Sequence, residues 1–303
     1  MLTRTADSLY WMSRNIERSE KIAGLLATEL TTVLETSNQE EMIKSELETI
    51  VSISASEEDA RLVAERDQLN VADVTNFLLF SEKNPNSIYN CVRIARENAR
   101  TTRDHLSDDF WMIINGFHLL MNEKKHLNIS APDIQHLLHQ VKMTSLSAQG
   151  IIESTVTRGN DYRMIKIGKW IERADFTVRI LLALCKKSKD HPELAGYYMT
   201  QALQFVNGSA AYLREHQPIM NPSYVIEFIL NKSNFPCSIL YCVEKLLISI
   251  KRIDKDNGTS YSYFLTQQIK DITDGLKELE DMEMELSSCI HTFNRHYEKL
   301  QVS

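Results

Sequence analysis

Glycine and proline are scarce, 9 and 6 of 303 residues. These residues punctuate tight turns and interrupt helices, and their rarity beside plentiful Leu, Glu, Lys and Ala favours helix throughout. No strand-like alternation of apolar and polar residues runs for any length. The five cysteines, Cys91, Cys185, Cys237, Cys242 and Cys289, are odd in number and never spaced C-x-x-C. That argues against a disulfide frame or a zinc site and reads as reduced thiols in a cytosolic protein. There is no glycine-rich phosphate loop and no G-x-x-x-x-G-K-S/T sequence, so any nucleotide involved would be held by another chain. His136 and His139 stand three apart without an acidic cluster, and Glu123 to His126 is one E-x-x-H where a di-iron bundle needs two. No metal is expected. Neither a nucleophile elbow nor a family-specific catalytic cysteine signature occurs.

Long apolar runs are missing too. The richest stretch, Phe235 to Ile250, is interrupted by Glu244 and Lys245 and is too short to span a bilayer. Met1 to Ser8 holds no apolar run of the kind a secretory signal requires. The expectation is a soluble, cytoplasmic protein with no membrane partner. A net charge of −7 argues against nucleic acid as the main partner, although a local basic face is compatible with it. With 43% hydrophobic and 25% charged residues, the composition is that of a globular chain, long enough for two domains or one large one.

What the chain does contain is a repeat. Tyr10-Trp-Met-Ser-Arg-Asn-Ile-Glu-Arg-Ser-Glu20 reappears as Ile165-Lys-Ile-Gly-Lys-Trp-Ile-Glu-Arg-Ala-Asp175. Each copy holds a basic residue, then Ile-Glu-Arg, a small residue and an acid. Leu9, Met12, Ile16, Ser19, Ala23, Leu26 and Leu30 make a helical stripe, matched by Met164, Ile167, Ile171, Ala174, Val178, Leu181 and Cys185. Trp11, Ile22 and Leu25 are expected to widen the first buried surface, with Arg14, Glu17 and Arg18 lying away from the main stripe as exposed ion pairs. A second pair of blocks keeps the same order: Pro85, Ser87 and Cys91 match Pro236, Ser238 and Cys242. The reading is a tandem duplication, residues 1–157 and 158–303, with its seam near Arg158 to Asp161. The predicted fold is all-α, about ten helices in two related bundles packed as one globular unit.

Between those blocks, residues 38–67 read as helix, a polar break near Ser52 to Glu58, and helix again. Asn84 to Ser87 signals a turn and a helix start, followed by one helix from Ile88 to Leu106 and more helix from Asp108 to Leu120. Asn128 to Pro132 breaks the chain, with Ser130 or Asp133 as cap, and a helix follows from about 133 to 156. Asp254 to Gly258 reads as a loop and Tyr263 to Leu300 as a charged helical tail.

Two charged constellations stand out. Arg14 and Arg18 share a helix face, as do Lys169 and Arg173, with Glu17 and Glu172 as local counter-charges. They form either a salt-bridge cluster locking the repeat halves or an anion site on a pseudo-twofold. A glutamate flanked by arginines is a poor general base, because the cations lower its pKa, and suits orienting an arginine instead. Arg93, Arg96, Arg100 and Arg103 project from one side of their helix, flanked by Glu97 and Asp104. The equivalent positions of the second copy are Glu244, Leu247, Lys251 and Asp254, so the arginine stripe belongs to one half only. It either pairs with the acidic 38–67 segment or receives a phosphate-bearing or acidic partner.

Arg4 to Arg18, Asn86 to Ile88 with Ala95 to Arg103, and Ile167 to Asp175 resemble, in order, the signatures of the bacterial alpha-E proteins. That resemblance implies an all-helical bacterial protein associated with circularly permuted ATP-grasp proteins, which activate a carboxylate and join it to an amine. By it, the family's charged motif residues fall on Arg14, Glu17, Arg18, Arg96, Glu97, Arg100, Arg103, Glu172 and Arg173. Ser13 and Lys169 stand where the family's Gly and Arg are expected, and Lys169 would weaken a bidentate anion contact. The implied function is a helical subunit that binds an ATP-grasp-type ligase and helps hold a peptide or amino-acid substrate. ATP and Mg would enter only through that partner. The alternatives are an enzyme acting on a peptide or acyl substrate through Glu17 and Glu172, and a purely structural adaptor.

Overall fold

Helix preference is realised nearly everywhere among the described residues, and the all-α architecture of about ten helices is the one the chain adopts. The computed structural model describes residues 3–35, 40–55, 70–127, 130–216, 220–257, 272 and 274–279, and no strand occurs among them. The second helix of 38–67, Cys289 and the 263–300 tail, apart from 272 and 274–279, lie outside the described residues. Two compact units make up the chain, Met1–Lys169 and Trp170–Ser303.

The first unit contains α1 (Thr3–Glu35), α2 (Glu40–Ser54), α3 (Val71–Leu79), α4 (Ile88–Thr101), α5 (Asp108–Lys124), α6 (Ala131–Thr155) and the start of α7 (Asn160–Asp190). Helix α1 is its hub: α2, α3, α4 and α6 all pack on it. That encirclement corrects two sequence expectations. Arg14 and Glu17 do not lie on a solvent face but are buried, together with Ser13, Asn15, Glu20 and Lys21, and Arg18 is half-buried. Trp11, expected inside, is 43% exposed, whereas Ile22 and Leu25 are buried as read. A one-stripe reading suits a helix on a surface. A helix with four neighbours buries its polar face as well.

Local chemistry sets the other helix ends. Asn70, Ser87, Ser107 and Ser130 each accept a hydrogen bond from the backbone N–H three residues on, capping α3, α4, α5 and α6. Helix α4 stops at Thr101, short of the expected Leu106, and a 3-10 turn spans Arg103–His105. The hydroxyls of Thr101 and Thr102 both bond back to the Asn98 carbonyl, and Ser107 opens α5 with Asp108 and Asp109 in its first turn.

The second unit holds the remainder of α7, then α8 (Ala195–Phe205), α9 (Ser209–Leu213), α10 (Pro222–Asn231) and α11 (Ile239–Asn257). Helix α10 packs on α8 and α11. The α7 stripe from Met164 to Cys185 is buried throughout. Gly275 lets the short described segment at 274–279 approach α7: a Cβ there would stand 2.5 Å from Val178 Cγ1.

Candidate functional site

In the first unit Glu17 has no exposed surface. Lys21 Nζ lies 3.6 Å from its Oε1 and 3.7 Å from Glu20 Oε1, while Gln149 of α6 donates to Glu17 Oε2 at 2.9 Å and to Glu20 Oε2 at 3.3 Å. A carboxylate taken wholly out of water is tolerated only with such partners. Arg14 donates to the Tyr10 hydroxyl at 3.0 Å, and its guanidinium carbon is 5.2 Å from the Trp11 ring. Arg18 donates to Asn86 Oδ1 at 2.6 Å. This ties α1 to the Asn84–Ser87 turn that starts α4. Gly168 lies against the same stretch of α1, where a Cβ would come 2.4 Å from the Tyr10 carbonyl oxygen and 3.2 Å from Ser13 Cβ. Gly168 and Ser13 are equivalent positions of the two motif copies.

The second unit makes a parallel set of contacts. Glu172 is fully buried, and Arg173 donates to the Pro236 carbonyl at 3.3 Å while stacking 5.1 Å from the Trp170 ring. Thr177 reaches the Cys237 carbonyl, and Trp170 meets Tyr241 edge-on. Ser238 caps α11 by accepting from Tyr241 N–H at 3.1 Å, as Ser87 does from Asn90 N–H at 3.2 Å. In each unit, then, the arginine of Ile-Glu-Arg holds the turn that opens the helix beside it. Lys169 is half-buried on the same helix.

The arginine stripe is built differently. Arg93, Arg96 and Arg100 share α4, but Arg103 sits in the 3-10 turn, so the expected run of four on one helix is three plus one. The indole of Trp111 on α5 gathers two of them: Arg96 and Arg103 lie 5.4 and 5.2 Å from its ring. Arg96 also donates to Asn115 Oδ1 at 3.0 Å, and both Arg96 and Arg100 bond Glu97. Those hydrogen bonds, from Arg96 foremost, hold the Glu97 carboxyl below its usual range. Arg103 meets Asp108 at 3.3 Å, whereas Arg93 pairs only with the uncharged amide of Asn90 among the described residues. None of the four pairs with the described part of residues 40–55. Arg93, Arg100 and Arg103 are exposed.

Sequence reasoning missed His118, which lies one helical turn beyond Asn115 on α5. Burial, then the charge of Arg96, pushes its pKa down from the ordinary histidine value. Its Nδ1 is covered from solvent and has no hydrogen-bond partner. The Trp111, Asn115, His118 and Asn122 spacing was the available signal, a polar heptad stripe facing the arginines. A further cluster surrounds Glu153, which receives Lys166, Tyr162 and Arg158. Burial and the bond to Glu153 raise the Tyr162 pKa to about 12. This cluster pins the α6–α7 corner. Among the described residues no group of three or more His, Cys, Asp or Glu side chains is placed to hold a metal, and no helix is long and apolar enough to cross a membrane.

The family model Alpha-E, a predicted alpha-helical domain with a conserved ER motif, matches residues 1–303. Glu17-Arg18 and Glu172-Arg173 are the Glu-Arg pairs of the buried clusters. An uncharacterized protein of Mycobacterium bovis is 24% identical over 270 residues, covering 85% of this chain and 30% of the relative. Uncharacterized proteins from two Mycobacterium tuberculosis strains are 24% and 23% identical over the same shares. The chain therefore spans about 30% of the length of the curated relatives it matches. No solved structure matches it.

Proposed function

Since this chain belongs to the Alpha-E family, we propose that it is a helical partner subunit of an ATP-grasp-dependent peptide or amide ligase system. It binds a circularly permuted ATP-grasp-type ligase in the cytoplasm and helps hold a peptide or amino-acid substrate. ATP and Mg stay with the ligase.

The observation that carries this reading is the contrast between the two charged clusters. Glu17 and Glu172 are fully enclosed and act as scaffold, since a carboxylate without exposed surface is out of reach of a substrate. The arginine face is open, ordered by Trp111, and present in one half of the chain only, as a recognition surface would be. The length of the relatives supports the same reading: there the matched region is about 30% of a longer chain, one part of a larger machine.

The test is co-purification of the tagged chain from its native host, with mass spectrometry of the co-eluting proteins. A stoichiometric ATP-grasp-like companion is expected with the wild type. It is expected to be lost on Arg96→Glu with Arg100→Glu, while helical circular dichroism is unchanged. A wild-type chain that elutes alone overturns the reading.

A further inference from the structure

The α4–α5 seam carries more chemistry than partner docking requires. From α4 and the turn after it come Tyr89, Arg93, Arg96, Arg100 and Arg103; from α5 come Trp111, Asn115, His118 and Asn122, at matching spacings of three and four. At one end Lys125 lies 4.5 Å from the Tyr89 ring and pairs with Glu82, while Tyr89 donates to Asn122 at 3.2 Å. At the other end Trp111 holds two guanidinium planes. Five cations and four carboxylates (Glu82, Glu97, Asp104, Asp108) lie along one seam of a chain whose net charge is −7. The local excess is positive, and Arg93 contributes to it with no carboxylate of its own among the described residues.

We infer that this seam is an oxyanion groove for an acidic peptide, in which Arg93 and Arg96 clasp one carboxylate and Arg100 and Arg103 the next. The inference rests on the ligase-partner reading and names the class of peptide that reading calls for. The Arg96 and Arg103 guanidinium groups, already held over the Trp111 indole, lose little freedom on binding a carboxylate. From Arg93 to Arg100 the seam runs ~10 Å at the α-helical rise, the length of roughly three residues of extended peptide, and Arg103 extends it into the 3-10 turn. Glu97 and Asp108, interleaved with the arginines, disfavour a continuous polyphosphate and leave discrete anion positions. His118 lies behind the arginines, where burial and then the charge of Arg96 hold its pKa down, and its Nδ1 is covered from solvent.

The isolated chain suffices for the test. Fluorescein-labelled hexaglutamate is titrated at low salt and followed by anisotropy, with tripolyphosphate as competitor. Saturable binding is expected, weakened at least about tenfold by Arg93→Gln with Arg96→Gln and also by the exposed change Arg100→Glu. Lys186→Glu with Lys189→Glu, at the exposed end of α7, leaves it unchanged. No binding by the wild type, equal loss with the α7 lysines, or tripolyphosphate binding tighter than hexaglutamate would overturn the groove. No ligase is present in the experiment, so its failure leaves the co-purification result to stand by itself.

Discussion

At Gly168 a single hydrogen in place of a methyl group decides how closely α7 approaches α1. The clash that a Cβ would make is with the Tyr10 carbonyl oxygen, a backbone atom that cannot rotate away. Gly168→Ala is therefore expected to cost about 2–3 kcal/mol in urea unfolding. Adding Ser13→Gly should not restore it, because Ser13 Cβ is the lesser contact; full rescue would show that the helices are not held by this approach. Glu17 makes the complementary case. Glu17→Ala leaves Lys21 and Gln149 with Glu20 as the carboxylate they still share, and removing one partner of a buried ion pair costs about 3 kcal/mol, the lower end of its usual range. An unfolding midpoint within error of wild type would mean that Glu17 is not the counter-charge that Lys21 depends on. The motif residues themselves were legible in the sequence, since Ile-Glu-Arg repeats with its neighbours. Their burial was not, because helical periodicity reports one apolar stripe and cannot count the helices that surround it.

At the scale of elements, the parts written in local chemistry were the easiest to read. Ser87 and Ser238 come at the same distance after Pro85 and Pro236, and both cap the helix that comes next. Ser87→Ala is expected to destabilise by about 1 kcal/mol, the usual value of an N-cap hydroxyl. Ser238→Ala should cost more, because its hydroxyl also donates to the Lys232 carbonyl at 2.6 Å and the alanine loses both bonds. Equal losses in thermal unfolding of the two variants would contradict the double role of Ser238. The end of α4 was misread for a related reason. Thr101 and Thr102 are compatible with helix by pattern, and the apolar spacing carries through to Leu106. The local competition of two threonine hydroxyls for one carbonyl, with a strong start signal at Ser107 to Asp109, decided the matter. That break moves Arg103 off α4, with its guanidinium carbon 5.2 Å from the Trp111 ring. The aromatic anchor of the stripe was invisible to a reading that considered α4 by itself.

For the whole molecule the relevant contrast is between a net charge of −7 and one ordered positive seam. A protein of this balance repels polyanions at long range and accepts an acidic group only where the cations are concentrated and held. Its size bears on the same point. The matched region is about 30% of each curated relative, so the helical part of those proteins is covalently attached to something larger. On the ligase-partner reading proposed above, this chain makes that association with a separate protein. In a lysate of the native host it is therefore expected to elute from a sizing column well above 34.9 kDa, and to shift toward that mass when salt is raised to about 1 M. Screening at that ionic strength shortens the reach of charge–charge attraction to about 3 Å. Arg96→Glu with Arg100→Glu should reproduce the salt-treated profile at low salt. If the large species survives both treatments, the arginine face does not hold the assembly, and the partner must dock on a surface that salt does not weaken.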